Sequence, residues 1–173
     1  MDTSPDSLDF LLSDAGATEE LAAALARAFP GAARSAAVLY LRGDLGAGKT
    51  TCVRGMLHAL GVTGLVRSPT YTLVEPYRAG GMNFVHIDLY RLQSPEEIAE
   101  LGVREYCEPH YLLLIEWPER GGLSLPAADV ELRLEYAGSG RSAGVSASSP
   151  HGRLWLENLA HDTSLIPYVS NLT

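Results

Sequence analysis

Gly43-Asp44-Leu45-Gly46-Ala47-Gly48-Lys49-Thr50 restricts the folds open to this chain more than any other stretch. It completes the pattern G-x-x-x-x-G-K-[ST], a loop whose backbone N–H groups cradle phosphates while its lysine reaches their outer oxygens. The flanks suit such a loop. Ala36 to Leu41 is a short apolar run of the kind a buried strand needs. Thr51 to Leu60 reads as a helix that Gly61 stops. Strand, glycine-rich turn and helix together aim the positive end of the helix at an anion. Lys49 is also the single lysine, beside twelve arginines. A compact ammonium can sit between phosphate oxygens where a planar guanidinium cannot without rearrangement, so the exception marks a phosphate site.

With 173 residues the chain is about one domain long and can bury a sizeable core. The expectation is one α/β domain over 1–173, with a mixed, largely parallel sheet flanked by helices. Its core runs from about 8 to 160, and about 161–173 form a loosely held tail. No apolar run approaches the roughly 20 residues that span a bilayer. The acidic start Met1-Asp2-Thr3-Ser4-Pro5-Asp6 lacks the basic, then apolar, pattern of a leader, so the expected location is the cytoplasm. Cys52 and Cys107 have no metal-binding spacing and read as isolated thiols. A net charge of −8 argues against independent binding to a nucleic-acid backbone; any nucleic acid would be held by another subunit.

Thr18 is a possible cap for a first helix carrying Leu21, Leu25 and Phe29 on one face and ending at Pro30-Gly31. Tyr71 to Tyr77 and Asn83 to Asp88 form a hairpin across Ala79-Gly80-Gly81. Ser94-Pro95-Glu96-Glu97 has the form of a capping box, and Gly102 ends its helix. Tyr111 to Glu116 is apolar almost throughout, as in a strand buried on both faces. Asp129 to Tyr136 alternates and pairs with Ser142 to Ser148 across Gly138-Ser139-Gly140.

A phosphate loop is half of a catalytic site. Magnesium takes one or two protein oxygens besides phosphates and waters. Thr50 supplies a hydroxyl. Carboxylates come from strand ends, because ligands of open α/β sheets bind outside the carboxyl edge. Asp88 and Glu116 each end a strand, and two roles await them: metal ligation and orientation of the attacking water. Their residue types leave the division open. His58 and His86 read as packing residues. Arg67 and Arg91 lie near enough to offset phosphate charge or to form surface ion pairs, and Trp117 to stack on a base, face a partner or pack.

Leu45 to Thr51, Ser68-Pro69-Thr70-Tyr71-Thr72-Leu73-Val74-Glu75-Pro76-Tyr77, Asp88-Leu89-Tyr90-Arg91-Leu92 and Ile115-Glu116-Trp117-Pro118 resemble, in order and spacing, the signature blocks of the TsaE (YjeE) family. These are bacterial P-loop ATPases of tRNA threonylcarbamoyladenosine biosynthesis. The resemblance runs from about Ser13 to Ala160. It implies that Lys49 and the loop from Gly43, Asp44, Leu45, Gly46, Ala47 and Gly48 to Thr50 and Thr51 hold ATP. It implies that Thr50 and Glu116 hold Mg2+, that Asp88 acts on the attacking water or the metal's water shell, and that Thr18 lies by the base. Ser68, Thr70, Tyr71 and Trp117 would form a nucleotide-sensing surface toward the partners TsaD and TsaB, which carry out the modification. A small-molecule kinase is the alternative, weakened by the absence of an arginine-rich lid. A GTP switch is weakened further, since no N-K-x-D motif can exist without a second lysine.

Overall fold

The computed structural model describes residues 6–32 and 34–170. The stretch 1–5 read above for a leader, and 171–173 of the expected tail, lie outside them. The strands are β1 (Ser7–Leu12), β2 (Ala37–Arg42), β3 (Val74–Ala79), β4 (Met82–Asp88), β5 (Tyr111–Glu116), β6 (Val130–Ala137) and β7 (Gly140–Ala147). The α-helices are α1 (Ala15–Ala28), α2 (Lys49–Ala59), α3 (Glu97–Glu100) and α4 (Pro150–Ala160). One seven-stranded sheet has the order β1-β7-β6-β2-β5-β4-β3. Its centre is parallel, with β6, β2, β5 and β4 side by side; β3 pairs with β4 as an antiparallel hairpin at one edge, and at the other β7 forms a hairpin with β6 and pairs antiparallel with β1. This is the α/β fold with a mixed, centrally parallel sheet that the sequence led us to expect.

Side chains alternate across the sheet. Leu39, Leu41, Phe84, Leu112 and Leu114 face α1, α2 and α4, where they pack with Leu21, Leu25, Met56 and Trp155. Val38, Tyr40, Val85, Ile87, Leu113 and Ile115 face the other way, under Ile98, Val103 and Leu125 from short helical turns. Trp155 is fully buried and donates its indole N–H to the Leu25 carbonyl at 2.9 Å, tying α4 to α1. The parity that separates these faces also decides where the strand-end acids point.

Several local expectations need correction. Asp14, not Thr18, caps α1: its backbone is extended and its carboxylate accepts from Ala17 N at 2.9 Å. Thr18 already lies inside the helix, and its hydroxyl donates to the Asp14 carbonyl at 3.3 Å. Strand β3 starts at Val74 rather than Tyr71, because Leu73 adopts φ 61° and closes a turn onto Pro69 O at 2.7 Å. The capping box is present as the Glu97 carboxylate accepting from Ser94 N at 2.8 Å, but α3 is a single turn. Residues 161–170 are not a loose tail. A 3-10 helix at Thr163–Tyr168 buries Leu165, and Val169 bridges to Phe10.

Arg27 fastens that segment to α1. It pairs with Asp162 and Glu20, each at 2.9 Å, and donates to the Ser164 hydroxyl at 2.8 Å. The Arg27 hydrogen bond holds Asp162 below the usual carboxylate range; Glu20 is lowered by Ser164 and then by Arg27. Carboxylates with lowered folded-state pKa values contribute stability above their unfolded values, about 4, and lose it as pH falls through the folded values. The cluster is half-exposed, so Arg27→Ala should cost under about 1 kcal/mol. Thermal melts should show that difference at neutral pH and its disappearance below about pH 4. Asp129 ties three elements together: it accepts from Val38 N at 2.9 Å and from the Ser149 hydroxyl that caps α4, and its carbonyl presses on Gly152. A β-carbon at Gly152 would lie 1.8 Å from that carbonyl oxygen. Gly152→Ala should therefore destabilise the fold by about 3 kcal/mol or more in urea unfolding.

Candidate functional site

The loop between β2 and α2 leaves the sheet at its carboxyl edge. A β-carbon at Gly43 would lie 2.2 Å from the Leu134 carbonyl, so only glycine allows the loop to start so close to β6. Gly48 precedes α2 at φ 108° and offers no side-chain cap. The first N–H groups of α2 are thereby left for an anion. Lys49 is 4% exposed; its ammonium donates to the carbonyls of Gly43 at 2.6 Å and Asp44 at 2.8 Å. It also lies 4.0 Å from the centre of the Trp117 ring. Burial holds this amine below the usual lysine range, opposed by the charges of Glu116 and Asp88.

Parallel pairing of β4 with β5 sets Asp88 directly opposite Glu116. Both share the parity of Phe84 and Leu114, so their side chains point toward α2. The Thr50 hydroxyl lies 2.8 and 3.0 Å from the two Glu116 oxygens. Asp88 instead accepts from Tyr90 N at 3.0 Å and from the Ser68 hydroxyl at 3.3 Å, and Ser68 in turn bonds Thr70 at 2.8 Å. Burial, the largest influence, raises the Asp88 carboxyl above the usual range, with the Glu116 charge acting the same way and the Tyr90 N and Ser68 hydrogen bonds opposing it. The two acids that residue type left interchangeable are thus distinct in geometry: Glu116 sits against the loop's hydroxyl, and Asp88 against the Ser68–Thr70 loop.

Lys49, Thr50, Thr51, Ser68, Thr70, Asp88, Tyr90, Glu116 and Trp117 line one cavity of about 290 Å³. On the other side of the loop, Thr18, Leu12, Asp14, Ala47, Gly48 and Arg141 line a second of about 210 Å³. The structure therefore places most of the expected residues in two pockets that share Gly46, Gly48 and Thr51. Gly43 and Asp44 open onto a third groove instead, and Leu45 borders the first cavity while staying 66% exposed. Tyr71 stands outside these pockets, 85% exposed, with the Arg91 guanidinium 4.6 Å from its ring centre. Trp117 adopts φ 58°, an uncommon conformation for a bulky residue, and its ring tilts against Tyr90 at 5.0 Å.

Cys52 matches its sequence reading: it is fully buried, and burial pushes its thiol up to about 12. His86 does not read as packing alone. It is fully buried, yet its Nε2 lies 2.8 Å from Glu116 Oε1. The period-two spacing His86, Asp88 on one strand could have shown that both face α2. The clamp on the outer loop was not legible: Tyr136 donates to Leu45 O at 3.0 Å, and Arg141 to Ala47 O at 3.1 Å and Gly46 O at 3.3 Å. Those residues come from a distant hairpin with no motif of its own.

A magnesium-sized ion asks for few protein oxygens, and the Thr50 hydroxyl with the adjoining Glu116 carboxylate is such a set. Among the described residues no cluster of three or more His, Cys, Asp or Glu side chains could form an all-protein metal cage. A hydroxyl and a carboxylate fit an ion that takes its remaining oxygens from phosphate and water.

Comparison with known proteins agrees in sequence and in shape. The chain is 47% identical over 118 residues to the tRNA threonylcarbamoyladenosine biosynthesis protein TsaE of Haemophilus influenzae, covering 68% of this chain and 75% of that protein. It is 36% identical over 115 residues to the protein of the same name from Bacillus subtilis, covering 66% and 72%. The crystal structure of Bacillus subtilis YdiB superposes with a TM-score of 0.69 at 28% identity, covering 89% of this chain and 94% of that one. The family model described as threonylcarbamoyl adenosine biosynthesis protein TsaE matches residues 12–143, which include both pockets' loop and strand-end acids, and the chain belongs to the TsaE family.

Proposed function

We propose that this protein is the magnesium-dependent, ATP-binding and ATP-hydrolysing subunit of a cytoplasmic tRNA threonylcarbamoyladenosine modification complex, working with TsaD and TsaB. The contact between Thr50 and Glu116 at 2.8 Å, beside Lys49 in a phosphate loop, carries this reading. In it, Lys49 exchanges the carbonyls of Gly43 and Asp44 for phosphate oxygens, and the loop N–H groups with the α2 terminus hold the remainder. Thr50 and Glu116 hold Mg2+, which when bound neutralises charge on the phosphates. Asp88, raised by burial and held by Tyr90 N and Ser68, is suited to orient the attacking water and take up its proton. Thr18 and its pocket receive the base side of the nucleotide. Ser68, Thr70, Tyr71 and Trp117 carry the state of the phosphate site toward the partner subunits, and tRNA is reached only through them. Among the described residues no helix is long and apolar enough to cross a membrane.

Turnover of ATP and GTP by the purified protein, alone and with TsaB and TsaD, tests the proposal. Partner-stimulated ATP hydrolysis without a small-molecule acceptor is expected; phosphate transfer to a metabolite would instead identify a kinase. Lys49→Ala should abolish nucleotide binding in calorimetry. Asp88→Ala should lower turnover on the order of 100-fold with binding largely retained, as for a lost general base. Glu116→Ala should lower turnover and raise the magnesium needed for it. Wild-type turnover by all three variants would refute the site assignment.

A further inference from the structure

Among the described residues, His86 is the histidine that is fully buried within the sheet. It sits on the helix-facing side of β4 at 0% exposure, between Phe84 and Asp88 in the strand's alternation. A position this buried is ordinarily held by an apolar side chain. The imidazole instead leaves Nδ1 buried with no partner among the described residues. A polar atom buried without a partner is unfavourable, so the ring must be retained for what its other nitrogen does. That nitrogen, Nε2, lies 2.8 Å from Glu116 Oε1. A proton on Nδ1 would be a buried donor with no acceptor, which places the proton on Nε2 and makes His86 the donor to Glu116.

The direction matters for Glu116. Its side chain is 2% exposed and projects from the end of β5, where two donors meet its carboxylate. One donor is the Thr50 hydroxyl, which touches both oxygens. A hydroxyl turns easily, and in the reading above Thr50 also serves the metal. His86 comes from a different strand and is rigid beyond two side-chain torsions. It takes one oxygen, Oε1, and leaves Oε2 bonded to Thr50 alone. We propose that His86 is a positioning residue that fixes the Glu116 carboxylate through Oε1, so that Oε2 and the Thr50 hydroxyl are preset for a magnesium ion. This rests on the preceding assignment of Mg2+ to Thr50 and Glu116 and adds the residue that orients them. Groups that orient ligating carboxylates typically change metal affinity by about 10- to 100-fold when removed.

The experiment measures binding of a non-hydrolysable ATP analogue by calorimetry, with magnesium stepped from chelator to excess. His86→Leu removes the donor and keeps the bulk. His86→Gln places an amide N–H where Nε2 stands, whereas the shorter His86→Asn does not reach Glu116. Affinity without magnesium should match wild type in every variant. The magnesium midpoint should rise about tenfold or more in the Leu and Asn variants and return close to wild type in Gln. If the Leu variant does not fold, the Gln and Asn pair decides by the same difference. Equal midpoints for Gln and Asn, or a loss of affinity equally large without magnesium, would overturn the proposal and leave His86 a structural residue. A wild type indifferent to magnesium would instead overturn the metal assignment to Thr50 and Glu116, and the role of His86 with it.

Discussion

Pairing of β2 on both edges by parallel neighbours is the constraint from which the rest of the molecule follows. Leu39 and Leu41 face one layer and Val38 and Tyr40 the other, so the strand can neither slide nor turn without exposing apolar surface. The phosphate loop that leaves its end inherits that fixity. So do the acids of β4 and β5, because register with a locked strand sets how far each neighbour reaches. Asp88 and Glu116 come level by backbone pairing, before any side chain contributes.

The charge arrangement follows from that placement. Two carboxylates, a histidine and an ammonium share a region where Asp88 is 5% and Glu116 is 2% exposed. Hydrogen bonds to charged groups are each worth about 1.5–3 kcal/mol, and a charge left buried without one costs more. Each carboxylate accordingly has its own donors: Thr50 and His86 for Glu116, Tyr90 N and Ser68 for Asp88. The different donors separate two acids of similar chemistry. Asp88 stands beside the Ser68-Pro69-Thr70 loop, and Glu116 beside the helix.

Much of this was legible in the chain because its signals are local. A glycine loop between an apolar run and a helix, an apolar strand from Tyr111 to Glu116 and a hairpin at Gly80-Gly81 depend on residues near one another. What escaped depends on residues far apart. The cap at Asp14 was overlooked because Thr18, four residues on, has an equally suitable side chain; the extended backbone at Asp14 decides between them. The segment after His161 reads as loose only until Arg27, from the first helix, pairs with Asp162. The clamp of Tyr136 and Arg141 on the phosphate loop joins residues 91 to 95 positions apart, beyond any pattern in a single sequence. His86 lay between these cases. Its parity was visible, but its bond to Glu116 needed the register of two strands.

The lone lysine has a consequence outside nucleotide chemistry. Every reaction a cell or a chemist directs at a lysine side chain has one address on this molecule, and that address is 4% exposed and already holds two carbonyls. Acylation there would remove the only ammonium in the phosphate loop, and a bound phosphate would in turn cover the amine. If the loop holds a nucleotide as proposed, modification of Lys49 and nucleotide occupancy exclude one another at a single atom.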